Sequence, residues 1–132
     1  MIWIDANIFL EVELKQKNFK RCFELLQEIK AEKEAVTSDF LVYSIILSMQ
    51  RYKCSAQQIK IFIASLVSLK NLMIYRPSLS DINTALSVME NHKLDFDDSL
   101  VYSCMKSLGI NKLASLDNDF KRLKDIEIIS LY

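Results

Sequence analysis

The sequence predicts a single α/β domain over residues 1–132, with a mainly parallel sheet of about five strands covered by helices on both faces, a three-layer arrangement. Three observations predict it. Short apolar or β-branched runs alternate with longer segments of helical periodicity. Some crossovers hold two consecutive helices, which suits a parallel sheet buried on both faces. A chain of 132 residues with 51% apolar composition can bury one core and is too short for two ordinary domains.

Met1 to Ile4 is the first strand. Phe19, Cys22, Phe23, Leu26 and Ile29 then recur at three- and four-residue spacing, which makes an amphipathic helix with Lys and Glu outward. Ala35 to Thr37 is a weaker strand, followed by Ser38 as N-cap candidate for a helix from Leu41 to Tyr52. Ser55 with Gln58 has the capping-box pattern and opens Ala56 to Leu69. After the strand Leu72 to Tyr75, Pro77 and Ser80 open the helical segment Asp81 to Glu90. Asp95 to Leu108 is the last long helix, stopped by Gly109 as C-cap. Leu113 to Leu116 and Ile126 to Ile129 complete the strands.

Composition removes several functions. The one glycine cannot build a P-loop or a dinucleotide fingerprint, both of which need several glycines in one turn to let backbone approach phosphate. The one histidine, His92, leaves no His-rich zinc site and reads as a solvated helix-end residue. Seventeen basic and seventeen acidic residues cancel, so a nucleic acid would have to be held by a local patch or through metal. Cys22, Cys54 and Cys104 lack a metal-ligand or redox spacing and are expected as buried thiols in a reducing cytosol. The N-terminus lacks a signal-peptide pattern, and the apolar runs fall short of the roughly 18 residues of a membrane span. A cytoplasmic protein with no membrane segment is expected.

The acids fall at one edge of the predicted sheet. Asp5 ends the first strand, Asp117 follows the strand at Leu113 to Leu116, and Asp95, Asp97 and Asp98 crowd the first turn of the last long helix. In open parallel sheets, ligands bind at the carboxyl ends of the strands, where loops and helix N-termini converge. Singly, each Asp is commonly just an N-cap or a partner of the helix dipole. Several carboxylates at one edge repel one another, and a divalent cation is the simplest way to neutralise them. Oxygen-only ligands point to Mg²⁺ or Mn²⁺ rather than zinc.

Asp5-Ala6-Asn7-Ile8-Phe9 resembles the N-terminal D-x-N-[IV]-[LF] motif of PIN domains. Asp98-Ser99-Leu100 followed by Gly109 looks like their D-A-L helix, and Ser115-Leu116-Asp117-Asn118-Asp119-Phe120 is similar to their T-x-D-x-D-F segment. The resemblance spans nearly the whole chain and implies a sheet of about five parallel strands with a metal-dependent ribonuclease activity, as in many toxins of toxin–antitoxin pairs. It implies Asp5, Asp98 and Asp117 as catalytic metal ligands, Asp119 as a further acid, and Asn7 and Ser115 as groups that orient the ligands. RNA as substrate, an antitoxin protein as partner and a homodimer belong to the same expectation.

The chain departs from the family's pattern at the second motif. PIN nucleases usually carry a Glu about seven residues past the Thr of a Thr-Ser pair, and counting from Thr37 that position is Ser44. Glu11, on the first helix, and Asp97, beside Asp98, are the nearby acids able to compensate. The stripe Leu100, Val101, Cys104, Met105 and Leu108 centres nearer Asp97, whereas the family register selects Asp98, and both are carried forward. A catalytically weakened PIN-fold binding or assembly module is therefore the alternative to the nuclease. A haloacid-dehalogenase-type site would want Asp-x-Asp where the chain has Asp5-Ala6-Asn7, and a receiver domain would want a paired acid and a late Lys. Neither pattern is complete.

For self-association, the candidate faces are the helices Leu41 to Met49 and Ile61 to Leu69 and the segment Ile126 to Tyr132. Lys106, Lys112, Lys121, Arg122 and Lys124 lie near the acids in sequence and are candidates for contacting RNA phosphates.

Overall fold

In the computed structural model, which describes residues 1–131, five parallel strands form one sheet in the order β3-β2-β1-β4-β5. The chain runs β1 (Ile2–Ile4), α1 (Ala6–Glu13), α2 (Phe19–Ala31), β2 (Ala35–Ser38), α3 (Asp39–Arg51), α4 (Ala56–Ser68), β3 (Leu72–Tyr75), α5 (Leu79–His92), α6 (Phe96–Leu108), β4 (Lys112–Ala114), a 3₁₀ turn (Asn118–Arg122) and β5 (Glu127–Ile128). Parallel neighbours need crossovers, and each of the first three is a helix pair. The chain first builds outward from β1 to β2 and β3, then returns to the other side of β1 with β4. That reversal opens a crevice between the carboxyl ends of β1 and β4.

Alternation along the strands divides the core into two layers. Ile2, Ile4, Ala35 and Ala114 face α1 to α4, packing on Ile8, Phe9, Leu25, Ile45 and Phe62. Trp3, Val36 and Leu113 face α5 and α6, packing on Ala85, Val88, Leu100, Val101 and Met105. The three-layer α/β expectation holds, with all pairings parallel.

Local signals set most boundaries. Ser38 Oγ accepts the Leu41 N–H at 3.1 Å, and Ser55 and Gln58 form the expected reciprocal capping box. Gly109 closes α6 at φ +68°, a left-handed conformation that glycine adopts without a Cβ penalty. The start of α5 differs from the expectation: it begins at Leu79, and the cap is Ser78 rather than Ser80, because Ser78 and Asp81 satisfy each other's backbone N–H groups at 2.9 and 3.0 Å. β4 ends at Ala114 rather than Leu116, since side chains take over the next backbone donors: Asn7 Oδ1 accepts from Leu116 N–H and Ser115 Oγ from Asp117 N–H. Cys22 and Cys104 are buried thiols as expected, while Cys54 is half-buried.

Asp81 is buried and is held by hydrogen bonds, with no ion pair to another described residue. Its carboxylate accepts from the Tyr75 hydroxyl at 2.6 Å, Ser107 Oγ at 2.5 Å and Ser78 N–H, and its backbone carbonyl accepts from Ser103 Oγ at 2.7 Å. These bonds join β3, α5 and α6, and three of them keep the carboxyl below its ordinary pKa against the opposing effect of burial. Asp81→Ala leaves those donors without their acceptor and is expected to cost about 2–4 kcal/mol, measured by urea denaturation. Tyr75→Phe removes one donor and is expected to cost about 1 kcal/mol.

Among the described residues, no helix is long and apolar enough to cross a membrane. Of the segment expected to run to Tyr132, Ile126 and Leu131 are buried in the core, and Tyr132 lies outside the described residues. In contrast, α3, α4 and the edge strand β3 expose Tyr43, Leu47, Ile61, Val67, Met73 and Ile74.

Candidate active site

Asp5 occupies the crevice because β1 ends there. Its N–H continues the β1–β4 ladder by donating to the Ala114 carbonyl at 3.0 Å, which sets its side chain beside Ser115. As N-cap of α1, its Oδ1 accepts from Ala6 N–H at 2.8 Å. Oδ2 accepts from Ser115 Oγ at 2.7 Å and from Asn7 Nδ2 at 3.3 Å. Ser115 is itself buried and also takes the Asn7 amide at 3.2 Å and the Asp117 N–H at 3.1 Å. Asp5, Asn7, Ser115 and Asp117 thus form one hydrogen-bonded lattice across the ends of β1 and β4. Asp117 in turn caps the 3₁₀ turn, with Oδ1 accepting from Asp119 N–H at 2.9 Å.

The N-terminus of α6 delivers the third acid. Asp98 is 8% exposed, whereas Asp97 is exposed. The helical stripe alone centres the buried face nearer Asp97, and the structure corrects this. α6 also buries Ser103, which bonds to the Asp81 carbonyl of α5, and Ser99, whose hydroxyl donates to the Leu94 carbonyl in the turn before α6, so the inward face is turned toward Asp98. Polar residues do not register in a count of apolar positions.

A cavity of about 170 Å³ joins these elements, lined by Asp5, Asn7, Ser44, Asp97, Asp98 and Asp117 with an apolar wall of Leu10, Leu41 and Val101. Among the described residues, no lysine or arginine lines it. Among the described residues, Asp98, Asp117 and Asp119 each offer an oxygen within 4.8 Å of the others. Asp119 is half-exposed and lies 3.5 Å from Arg122 Nη2. Ser44 faces the cavity from α3, so the position where the family usually carries Glu does point at the acids. Glu11 does not line the cavity, because its Oε2 accepts the Asn18 N–H at 3.0 Å and fastens the entry to α2. The wall residues were not anticipated; their signal is the apolar stripe on α3 and α6.

Burial and charge repulsion together raise the proton affinities of the acids. Burial, then the Asp97, Asp117 and Asp5 carboxylates, push the Asp98 acid up to about 8, aided by its hydrogen bond with Asp117. Asp5 rises to about 6, driven by burial, opposed by the bonds from Ser115 and Ala6, and raised further by Asp117 and Asp97. A proton on Asp98 therefore relieves the cluster at neutral pH. A hard divalent cation would relieve it more fully, and all the available donors are oxygens.

Comparison with known proteins agrees with this architecture. The chain is 26% identical over 88 residues to Ribonuclease VapC6 of Methanocaldococcus jannaschii, a match covering 67% of this chain and 58% of that relative, so it spans little more than half of the relative's length. In structure it is similar to Mycobacterium tuberculosis VapC20, described as a sarcin-ricin loop cleaving toxin, with a TM-score of 0.76 and 15% identity over 94% of this chain and 95% of that one. It is also similar to a toxin–antitoxin complex from Klebsiella pneumoniae, with a TM-score of 0.72 and 13% identity over 100% of this chain and 98% of that one. At those identities the structural likeness establishes the fold. The profile of the PIN domain matches residues 2–126, nearly the entire chain with all three acidic motifs inside it, and the chain belongs to the PIN domain family.

Proposed function

We propose that the protein is a metal-dependent endoribonuclease of the toxin type, hydrolysing RNA phosphodiesters with Mg²⁺ or Mn²⁺. The observation that carries this is the meeting of Asp98, Asp117 and Asp119 oxygens within 4.8 Å of one another, beside Asp5 in a cavity lined by no basic residue. Asp5, Asp98 and Asp117 are the ligands we assign, with Asp119 a further acid at the exposed side. Asp97 shares the cavity with Ser44, so it is the acid that compensates for the serine, supplied from α6 instead of α3. The bound cation would make a water more nucleophilic and offset charge growing on the phosphate oxygens.

The chain's own residues orient and desolvate. Ser115 and Asn7 fix the Asp5 carboxylate through Oδ2, leaving the remaining lone pairs for a ligand. The Leu10, Leu41 and Val101 wall limits water on one side, which strengthens the electrostatics inside. Asp98 must lose its proton to act as a ligand, so metal binding is accompanied by proton release. Ser115→Ala removes the hub of this lattice and is expected to weaken Mn²⁺ binding roughly 10- to 100-fold, read from the metal-induced rise in melting temperature.

An antitoxin partner is supported by the names of the relatives above, and a homodimer by the exposed apolar face of α3, α4 and β3. A second reading, a binding or assembly module with weakened catalysis, is favoured by Ser44 facing the acids where a carboxylate is usual. Cleavage of a single-stranded RNA with Mg²⁺ or Mn²⁺ separates the two when set against EDTA and the Asp5→Asn, Asp117→Asn double variant. The nuclease requires cleavage that both EDTA and the variant abolish; its absence favours the module.

A further inference from the structure

Asp117 lines two cavities. The second, a cleft of about 180 Å³, is walled by Leu116, Ile128 and Ile129 and edged by Asn118, Lys121 and Ser130. It is small beside the roughly 300–1,000 Å³ of a pocket for a free drug-sized ligand, and so suits one planar ring with a polar rim. Among the described residues, Lys121 is the one basic residue lining either cavity. It is exposed and makes no ion pair with another described residue. Its neighbours differ: Arg122 is occupied by Asp119 and the Lys93 carbonyl, and Lys106 by Asp125 at 2.6 Å.

We infer that this cleft is a nucleotide subsite, taking one base of the RNA strand against Leu116, Ile128 and Ile129 while Lys121 holds an adjacent phosphate. The inference rests on the ribonuclease assignment and extends it. An acidic centre repels a polyanion, and a productive complex needs a cation beside it that is not already neutralised. Lys121 meets that requirement at the cleft sharing Asp117 with the acids. Asn118 and Ser130 supply donors and acceptors at the rim for the edge of a base.

The test uses the full chain and a fluorescein-labelled single-stranded oligoribonucleotide of mixed sequence, in EDTA at low salt. Lys121→Glu is expected to weaken binding at least 10-fold and Lys121→Ala to lower the salt slope by about one, while Lys60→Ala, an exposed position on α4, stays within about 2-fold. Ile128 and Ile129 methyl resonances shift on adding the RNA, and those of Ile63 and Ile74 do not. In cleavage assays Lys121→Glu raises KM with kcat nearly unchanged. Binding or KM that is indifferent to Lys121, or silent Ile128 and Ile129 methyls with RNA bound, overturns the subsite even where cleavage is intact. Lys121-dependent binding without any metal-dependent cleavage overturns the nuclease and leaves an RNA-binding cleft; an oligoribonucleotide that does not bind at all overturns the subsite.

Discussion

Asp117→Asn is expected to lower metal-dependent RNA cleavage by roughly 10³-fold while leaving the fold intact. Asp117 has two separable duties. Its Oδ1 caps the 3₁₀ turn by accepting the Asp119 N–H, and an asparagine carbonyl performs that duty equally well. Its negative charge is shared with Asp98 and Asp5 around the cavity, and asparagine cannot replace it. Far-UV circular dichroism and melting should therefore be preserved as the rate collapses. Asp119→Asn is the informative contrast: its side chain is half-exposed and already beside Arg122, so its charge is screened and the expected loss is nearer 10-fold. Equal losses at the two positions, with circular dichroism and melting preserved in both, would give Asp119 the same weight as Asp117 in the acidic cluster.

In EDTA the melting temperature is expected to fall as pH rises from about 5 to 8.5, by on the order of 10 °C. Both Asp5 and Asp98 hold their protons more tightly in the folded chain than in the unfolded one, with folded pKa values of about 6 and about 8 against an ordinary 3.8. Between 3.8 and those values the folded state binds more protons than the unfolded state, so stability declines with rising pH. The decline starts above about pH 4, is complete for Asp5 once pH passes about 6, and continues for Asp98 to about 8. Mn²⁺ or Mg²⁺ replaces the protons as the neutralising charge, so the dependence should flatten or reverse at saturating metal. Thermal scans across pH with EDTA and with Mn²⁺ measure both halves. A melting temperature that rises with pH in EDTA contradicts the burial and mutual repulsion of these carboxylates.

The placement of the acids at one sheet edge was more legible in the sequence than the packing around them. Asp5 and Asp117 were legible because each follows an apolar run that can only be a strand, and strand ends converge in a parallel sheet. Ser38, Ser55 and Gly109 were legible because capping is local chemistry. Rotation of α6 was not, since it depends on Ser103 bonding to the Asp81 carbonyl of α5, a contact between segments that no periodicity of apolar residues encodes. Glu11 could not be placed from its spacing to Asp5, because its partner is the Asn18 backbone in the turn after its own helix. β3 reads as a buried strand, yet Met73 and Ile74 are over 40% exposed, since an apolar run does not say whether a strand is central or at the edge. The Lys121 cleft is likewise tertiary, formed where the turn after β4 meets β5.

Soaking crystals of the protein in Mn²⁺ and recording anomalous scattering tests the central claim most directly. A strong anomalous peak within coordination distance of Asp98 and Asp117 oxygens, and lost in the Asp117→Asn variant, is the predicted result. No peak at saturating Mn²⁺, with Asp5, Asp98 and Asp117 well ordered, would contradict the metal-dependent nuclease while leaving the PIN fold unchanged.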